Sequence, residues 1–167
     1  MSQQSNISNL WQKLVDSETA YVQSRVNFLK NCSNKVSWIQ AALHNPAQRG
    51  TALRLLNYLS LDDRQSLFQD VLELASVSHS DIDYCRQAIL TLPKQWLLAN
   101  IENAAETLLD DSSDEEYRRL LELYLQIDLA LTQRLTIRAL QHNNPDIREV
   151  GEDFDLYLRK GQLPLAV

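Results

Sequence analysis

An all-α fold is predicted by three features of the 167-residue protein: its composition, an ungapped repeat, and the spacing of apolar residues inside each copy. Only 3 glycines and 4 prolines punctuate a sequence rich in Leu, Ala, Gln, Glu and Arg. Such a composition favours helix and leaves few turn residues for an all-β fold. A shift of 33 residues aligns NPAQRGTALRLLNYL (45–59), SHSDIDYCRQAILTL (78–92), DSSDEEYRRLLELYL (111–125) and NPDIREVGEDFDLYL (144–158). Three columns of these copies, Ala52/Cys85/Arg118/Gly151, Leu55/Ala88/Leu121/Phe154 and Leu59/Leu92/Leu125/Leu158, are separated by steps of three and four, which trace one face of a helix.

Taken in sequence order, a leading helix is expected at 7–30, where Ile7, Leu10, Trp11, Leu14, Val15, Val22 and Leu29 supply the apolar positions. Next come KVSWIQAAL (35–43) and the first copy, 45–59. Asn45 can cap that copy, and Pro46 suits a first turn whose N–H has no partner in any case. Ser60, with Asp63 three positions on, opens a helix over 61–76. Ser78 heads the copy at 78–92, and Pro93 starts a helix at 93–109. The copy at 111–125 begins with Asp111 and contains Ser113 and Glu116, a capping box. Asp128 lies near the start of a helix at 127–141, and Asn144 with Pro145 opens the last copy, 144–158. Trp38, Val71, Ala104 and Ile137 also fall 33 apart, so the period extends to the intervening helices. The whole protein, 1–167, is thus read as a single domain: a capping helix (7–30), four helix pairs (34–160) and a tail, GQLPLAV (161–167).

Paired helices with a period in the thirties, whose second members open as Asp146-Ile147-Arg148 or with Pro46 and Arg49, resemble HEAT or armadillo-type repeats. The resemblance spans residues 34–160. It departs from the HEAT pattern in its shorter repeat and in the two middle copies, where Tyr84 and Tyr117 stand in place of an Asp-x-x-Val-Arg signature. Signatures of tetratricopeptide and ankyrin repeats are missing. The resemblance implies a right-handed α–α solenoid whose second helices line the concave side.

Charge is distributed unevenly. Residues 1–60 carry six Lys or Arg against two carboxylates, and residues 61–167 carry ten against twenty, within a net charge of −6. An acidic majority disfavours nucleic acid, which needs rows of cations. Cys32 and Cys85 form no Cys-x-x-Cys pair, the start of the sequence lacks a signal-peptide core, and no apolar run reaches membrane-spanning length. The expected location is the cytoplasm.

Little points to catalysis, to a metal or to a cofactor. His44, His79 and His142 each sit beside the start of a second helix, but stacked helices about 8–10 Å apart hold such rings too far apart to share an ion. The acids around SSDEE suit a helix N-terminus, and Cys85 occupies a packing column. A second-helix stripe remains: Arg49-Leu53-Leu56, Ile82-Arg86-Ile89, Glu115-Arg119-Glu122 and Arg148-Glu152-Asp155, apolar with arginine first and charged later. Under the resemblance, Leu53, Leu56, Ile82, Arg86, Ile89 and Arg119 face a groove that binds another protein or a peptide, one with an acidic and hydrophobic segment to suit Arg86 and Arg119. Alternatively the leading helix or the tail covers this stripe. An enzymatic alternative also follows from the resemblance, because some HEAT-like proteins are lyases that attach tetrapyrroles such as bilins. For that chemistry Tyr58, Tyr124 and Tyr157 are the periodic candidates.

Overall fold

The computed structural model describes residues 2–109 and 113–160, with side chains described from residue 7 onward. Among these residues every regular element is a helix: α1 (Ser2–Asn31), α2 (Lys35–Leu43), α3 (Pro46–Leu56), α4 (Leu61–Ser66), α5 (Phe68–Ala75), α6 (Ile82–Leu90), α7 (Lys94–Leu109), α8 (Asp114–Ile127), α9 (Leu129–Leu140) and α10 (Pro145–Lys160). The tail, 161–167, and Asp111 lie outside the described residues.

Local chemistry explains most helix starts. Asn45 Oδ1 accepts the Ala47 N–H at 3.1 Å, and Pro46 occupies the first turn of α3. Ser60 Oγ accepts the Asp63 N–H at 3.2 Å. Ser113 and Glu116 complete a capping box at α8, with the Ser113 N–H donating to Glu116 Oε2 at 2.8 Å. Asp128 Oδ1 receives the Ala130 N–H at 2.9 Å, and Asn144 Oδ1 receives the Asp146 N–H at 2.9 Å. Each such cap satisfies an otherwise orphaned donor and contributes about 1 kcal/mol.

Helix α1 starts at Ser2 rather than residue 7, and two further elements differ from the sequence expectation. Helix α6 begins at Ile82, because His79 to Asp81 form a turn in which the Asp81 N–H donates to His79 Nδ1 at 3.1 Å. Ser78 therefore caps nothing in its own helix and is free to bond α8. The helix expected over 61–76 is broken at Leu67, whose side chain is buried, giving α4 and α5. No glycine or proline marks that break.

Two rows of helices emerge from the packing. In one, α5 contacts α2 and α7; in the other, α3 contacts α6, α6 contacts α8, and α8 contacts α10. The rows join through α2 with α3, α5 with α6, α7 with α8 and α9 with α10. One continuous core results, running from Ile39 and Leu43 through Leu72, Leu97 and Leu121 to Phe154. Burial of each large apolar side chain in it favours folding by about 1.5–3 kcal/mol before conformational entropy is counted.

Helix α8 has an environment its sister copies lack. It packs against α5, α6, α7, α9 and α10 together, so Tyr117, Leu120 and Leu123 are buried, whereas the residues 33 earlier on α6, which meets α3, α5 and α8, are the exposed Tyr84, Gln87 and Leu90. Leu59 and Leu92 are buried, but Leu125 and Leu158 of the same column are only partly so. At the far end, Gly151 lets α10 lie against α9. A Cβ there would stand 2.7 Å from the Leu140 nitrogen and 3.1 Å from the Ala139 carbonyl carbon, so only glycine fits without a backbone shift. Exposed pairs add cross-ties: Arg134 grips Glu102 at 2.7 and 2.9 Å, and Arg138 meets Glu106 at 2.6 Å. Half-exposed pairs of this kind contribute at most about 1 kcal/mol each.

Candidate functional site

The six residues singled out from the sequence divide into three groups. Leu53, Leu56 and Ile89 are buried in the core. Their side chains turn inward because α3 and α6 pack on each other and on the first-row helices. Ile82 is half-buried. Arg86 and Arg119 lie on facing helices, α6 and α8, and meet at one carboxylate, Glu122.

That carboxylate organises a polar seam between α6 and α8. Arg86 Nη2 makes a short contact with Glu122 Oε2, and Arg119 Nη1 donates to both Glu122 oxygens at 2.9 and 2.8 Å. Arg119 Nε donates to Ser78 Oγ at 2.9 Å, while the Ser78 N–H donates to Glu115 Oε1 at 2.8 Å. Those bonds from Ser78, with Arg119 nearby, hold the Glu115 carboxyl below the usual carboxylate range. With Arg86 only 13% exposed, the seam is a structural clamp between helices, and its guanidinium groups are engaged rather than offered to a ligand.

Open surface lies elsewhere, around the leading helix. The C-terminal half of α1 covers part of the array: Phe28 and Leu29 pack against the core, and Arg25 lies over the Tyr58 ring at 4.0 Å. Between α1, α3 and α6 runs a cleft of about 240 Å³ lined by Tyr21, Arg25, Leu53, Arg54, Asn57, Tyr58, Tyr84, Gln87 and Ala88. Arg25 also approaches the Tyr21 ring at 5.6 Å, and Arg54 approaches the Tyr84 ring at 5.8 Å. The N-terminal half of α1 continues past this contact. There Ile7, Leu10, Trp11 and Leu14 are 66, 59, 65 and 58% exposed.

No protein-family model, curated protein or solved structure matches this sequence. Its chemistry is therefore read from its own residues. Burial pushes the Cys85 thiol up to about 12, and the thiol is inaccessible. His44 Nε2 lies 2.7 Å from Asp70 Oδ1, a buried carboxylate that also accepts from Gln40 at 3.1 and 3.2 Å, so this cluster ties α2 to α5. The His79 ring bonds the Leu74 carbonyl at 2.8 Å, and His142 Nδ1 accepts the Asn144 N–H at 3.1 Å. All three histidines thus brace helix junctions. Among the described residues no group of three or more His, Cys, Asp or Glu residues converges as a metal site.

The tyrosines weighed for tetrapyrrole chemistry do not share a cleft. Tyr58 lines the α1–α3–α6 cleft, whereas Tyr124 is buried beside a separate cavity of about 180 Å³ with Glu102, Glu106, Arg134 and Arg138. Burial, with those two glutamates, raises the Tyr124 hydroxyl above the ordinary phenol range. No helix among the described residues is long and apolar enough to cross a membrane.

Sequence reasoning missed the cleft because its walls come from three helices that are far apart in the sequence. One signal was present. Tyr21 and Arg25 are an i,i+4 pair within α1, and such pairs meet on a helix surface.

Proposed function

We propose that this protein is a non-catalytic module that binds another protein or a peptide, and that its partner seats on α1 and the adjoining cleft. The exposed stripe of α1 carries this reading. Ile7, Leu10, Trp11 and Leu14 fall on one helix face and are each more than half exposed, a contiguous apolar patch of the kind that marks interaction sites. The same face packs Phe28 and Leu29, both partly buried, against the core farther along, so α1 is one apolar face covered only toward its C-terminal end. The neighbour order α3–α6–α8–α10 beside α2–α5–α7 supports a HEAT-like α–α solenoid of four pairs, with α1 as its cap. Two free cysteines, one of them buried, support a place in a reducing cytoplasm.

Charge favours a partner that is acidic as well as apolar, since residues 1–60 hold six Lys or Arg against two carboxylates. An amphipathic segment whose apolar face meets α1 fits this surface. The expected result of affinity capture from the native host is one polypeptide in stoichiometric yield, retained by the unaltered protein and lost with Leu10→Glu plus Trp11→Glu. Both positions are exposed, so the variant keeps its helical content and melting behaviour. Equal retention by both proteins would sink the reading. A mass that rose with concentration in sedimentation equilibrium, and fell to the monomer in the variant, would assign the stripe to a second copy of the protein instead.

A further inference from the structure

We infer that the cleft between α1, α3 and α6 is a carboxylate-binding pocket that receives an acidic residue, or the free carboxyl terminus of a polypeptide, flanked by an apolar residue of the partner. This assignment builds on the interaction-module reading and gives its partner a chemical handle. The distribution of arginine partners is the first support. Among the described residues Arg25 and Arg54 are the two arginines that make no hydrogen bond or ion pair. Arg86, Arg118, Arg119, Arg134, Arg138 and Arg159 all hold carboxylates. Arg49, Arg64 and Arg148 donate to backbone carbonyls. In a protein with 22 acidic against 16 basic residues, two unclaimed guanidinium groups in one cleft stand out.

Their setting is the second support. The Arg25 guanidinium carbon lies over the Tyr58 ring, 4.0 Å from its centroid, and that of Arg54 over the Tyr84 ring at 5.8 Å. Such cation–π contacts use none of the N–H donors in a hydrogen bond, so these remain able to donate to a ligand. The Tyr21 hydroxyl, also in the cleft wall, is shielded from solvent and has no hydrogen-bond partner. A buried hydroxyl of that kind is expected to find one. Among the described residues no carboxylate lines the cleft, whose remaining surface is Leu53, Ala88 and the amides Asn57 and Gln87.

The choice of carboxylate over phosphate follows from the same residues. Arg54 and Asn57 stand at the C-terminal end of α3, where the helix dipole is negative. A monoanion held by two guanidinium forks tolerates that field better than a dianion does. The volume, about 240 Å³, suits one or two residues of a partner, and the half-buried Ala88 with the exposed ring of Tyr84 offers an apolar seat next to the charge.

The test follows the arginine Nε–H resonances of the ¹⁵N-labelled full-length protein. Its probes are acetyl-Leu-Glu-Phe-amide, the same peptide with Gln for Glu, acetyl-Leu-Phe with a free carboxyl terminus, and inorganic phosphate. The expected result is saturable shifts of the Arg25 and Arg54 signals with a carboxylate-bearing peptide and none with the Gln peptide. The tighter of the two carboxylate peptides identifies the acidic residue or the terminus as the source. Arg25→Gln with Arg54→Gln weakens that binding roughly ten- to a hundredfold, the loss expected for charged hydrogen bonds. The Glu-to-Gln comparison uses the unaltered protein and so does not depend on the folding of the variant. Equal response to the Glu and Gln peptides with no response to the free terminus, a preference for phosphate, or parent affinity in the double variant would overturn the assignment. If the peptide still titrates both arginines while the stripe variant captures partner as well as the unaltered protein, the α1 reading fails and the pocket stands. The reverse pattern removes the pocket alone.

Discussion

Replacing Phe154 with alanine lowers the unfolding free energy by about 3–5 kcal/mol, the range for removing a buried aromatic ring from a packed core. Phe154 is fully buried on α10, which packs on α8 and α9, and Gly151 one turn earlier brings the α10 backbone against α9. Close contact on both sides leaves little freedom to collapse into the space a missing ring would create. Chemical denaturation measures the effect. Leu158→Ala, four residues on and only half-buried, is the internal comparison and loses markedly less. A Phe154→Ala protein within about 0.5 kcal/mol of the parent, as surface changes are, would mean that α10 does not pack as described.

Charge reversal at Arg86 destabilises the fold by about 2–4 kcal/mol, somewhat below the range for breaking a fully buried pair because Glu122 keeps partial exposure and its bonds to Arg119. Read from the sequence, Arg86 and Arg119 offer two free guanidinium groups to a partner, and reversing both leaves the melting temperature nearly unchanged. The structure changes the expectation for a physical reason. Arg86→Glu removes one of the two cations that hold Glu122 and sets two carboxylates side by side in a partly buried seam. Restoring complementarity with Glu122→Arg recovers part of the loss, and a double-mutant cycle measures that coupling. Additive effects of the two substitutions would show that the seam is not a clamp.

What could be read from the sequence was mostly local. Asn45, Ser60, Ser113, Asp128 and Asn144 announce helix starts because a cap needs only a side-chain oxygen and an N–H two or three residues on. Boundaries set by tertiary packing were not legible. Leu67 ends α4 without a breaker residue, and Tyr117 is buried where Tyr84, one period earlier, is exposed. The two tyrosines occupy the same register, and only the number of helices around them differs. The stripe Leu53, Leu56 and Ile89 went astray for a related reason. A 33-residue period identifies which positions are equivalent, but it does not say how wide the buried face of each helix is. Here that face takes in Leu53, Leu56 and Ile89 and leaves the arginines to the seam. The cleft needs α1 laid against α3 and α6, a placement no spacing within one helix encodes.

The half-covered leading helix also gives the molecule a gradient of local stability. An α-helix of 30 residues is about 45 Å long, and its N-terminal stretch from Ile7 to Leu14 lies beyond the Tyr21 and Arg25 contacts, exposed to solvent. Isolated helical turns open readily in water, so amide hydrogens near Ile7 to Leu14 exchange by fraying, while those near Phe28 and Leu29 wait for the helix to leave the core. Exchange measured along α1 by mass spectrometry is expected to fall steadily toward its C-terminal end. Uniform protection over the whole helix would contradict this. Occupation of the stripe stops the fraying and slows exchange there first, so the amides of Ile7 to Leu14 become a gauge of occupancy that works before the partner's identity is known.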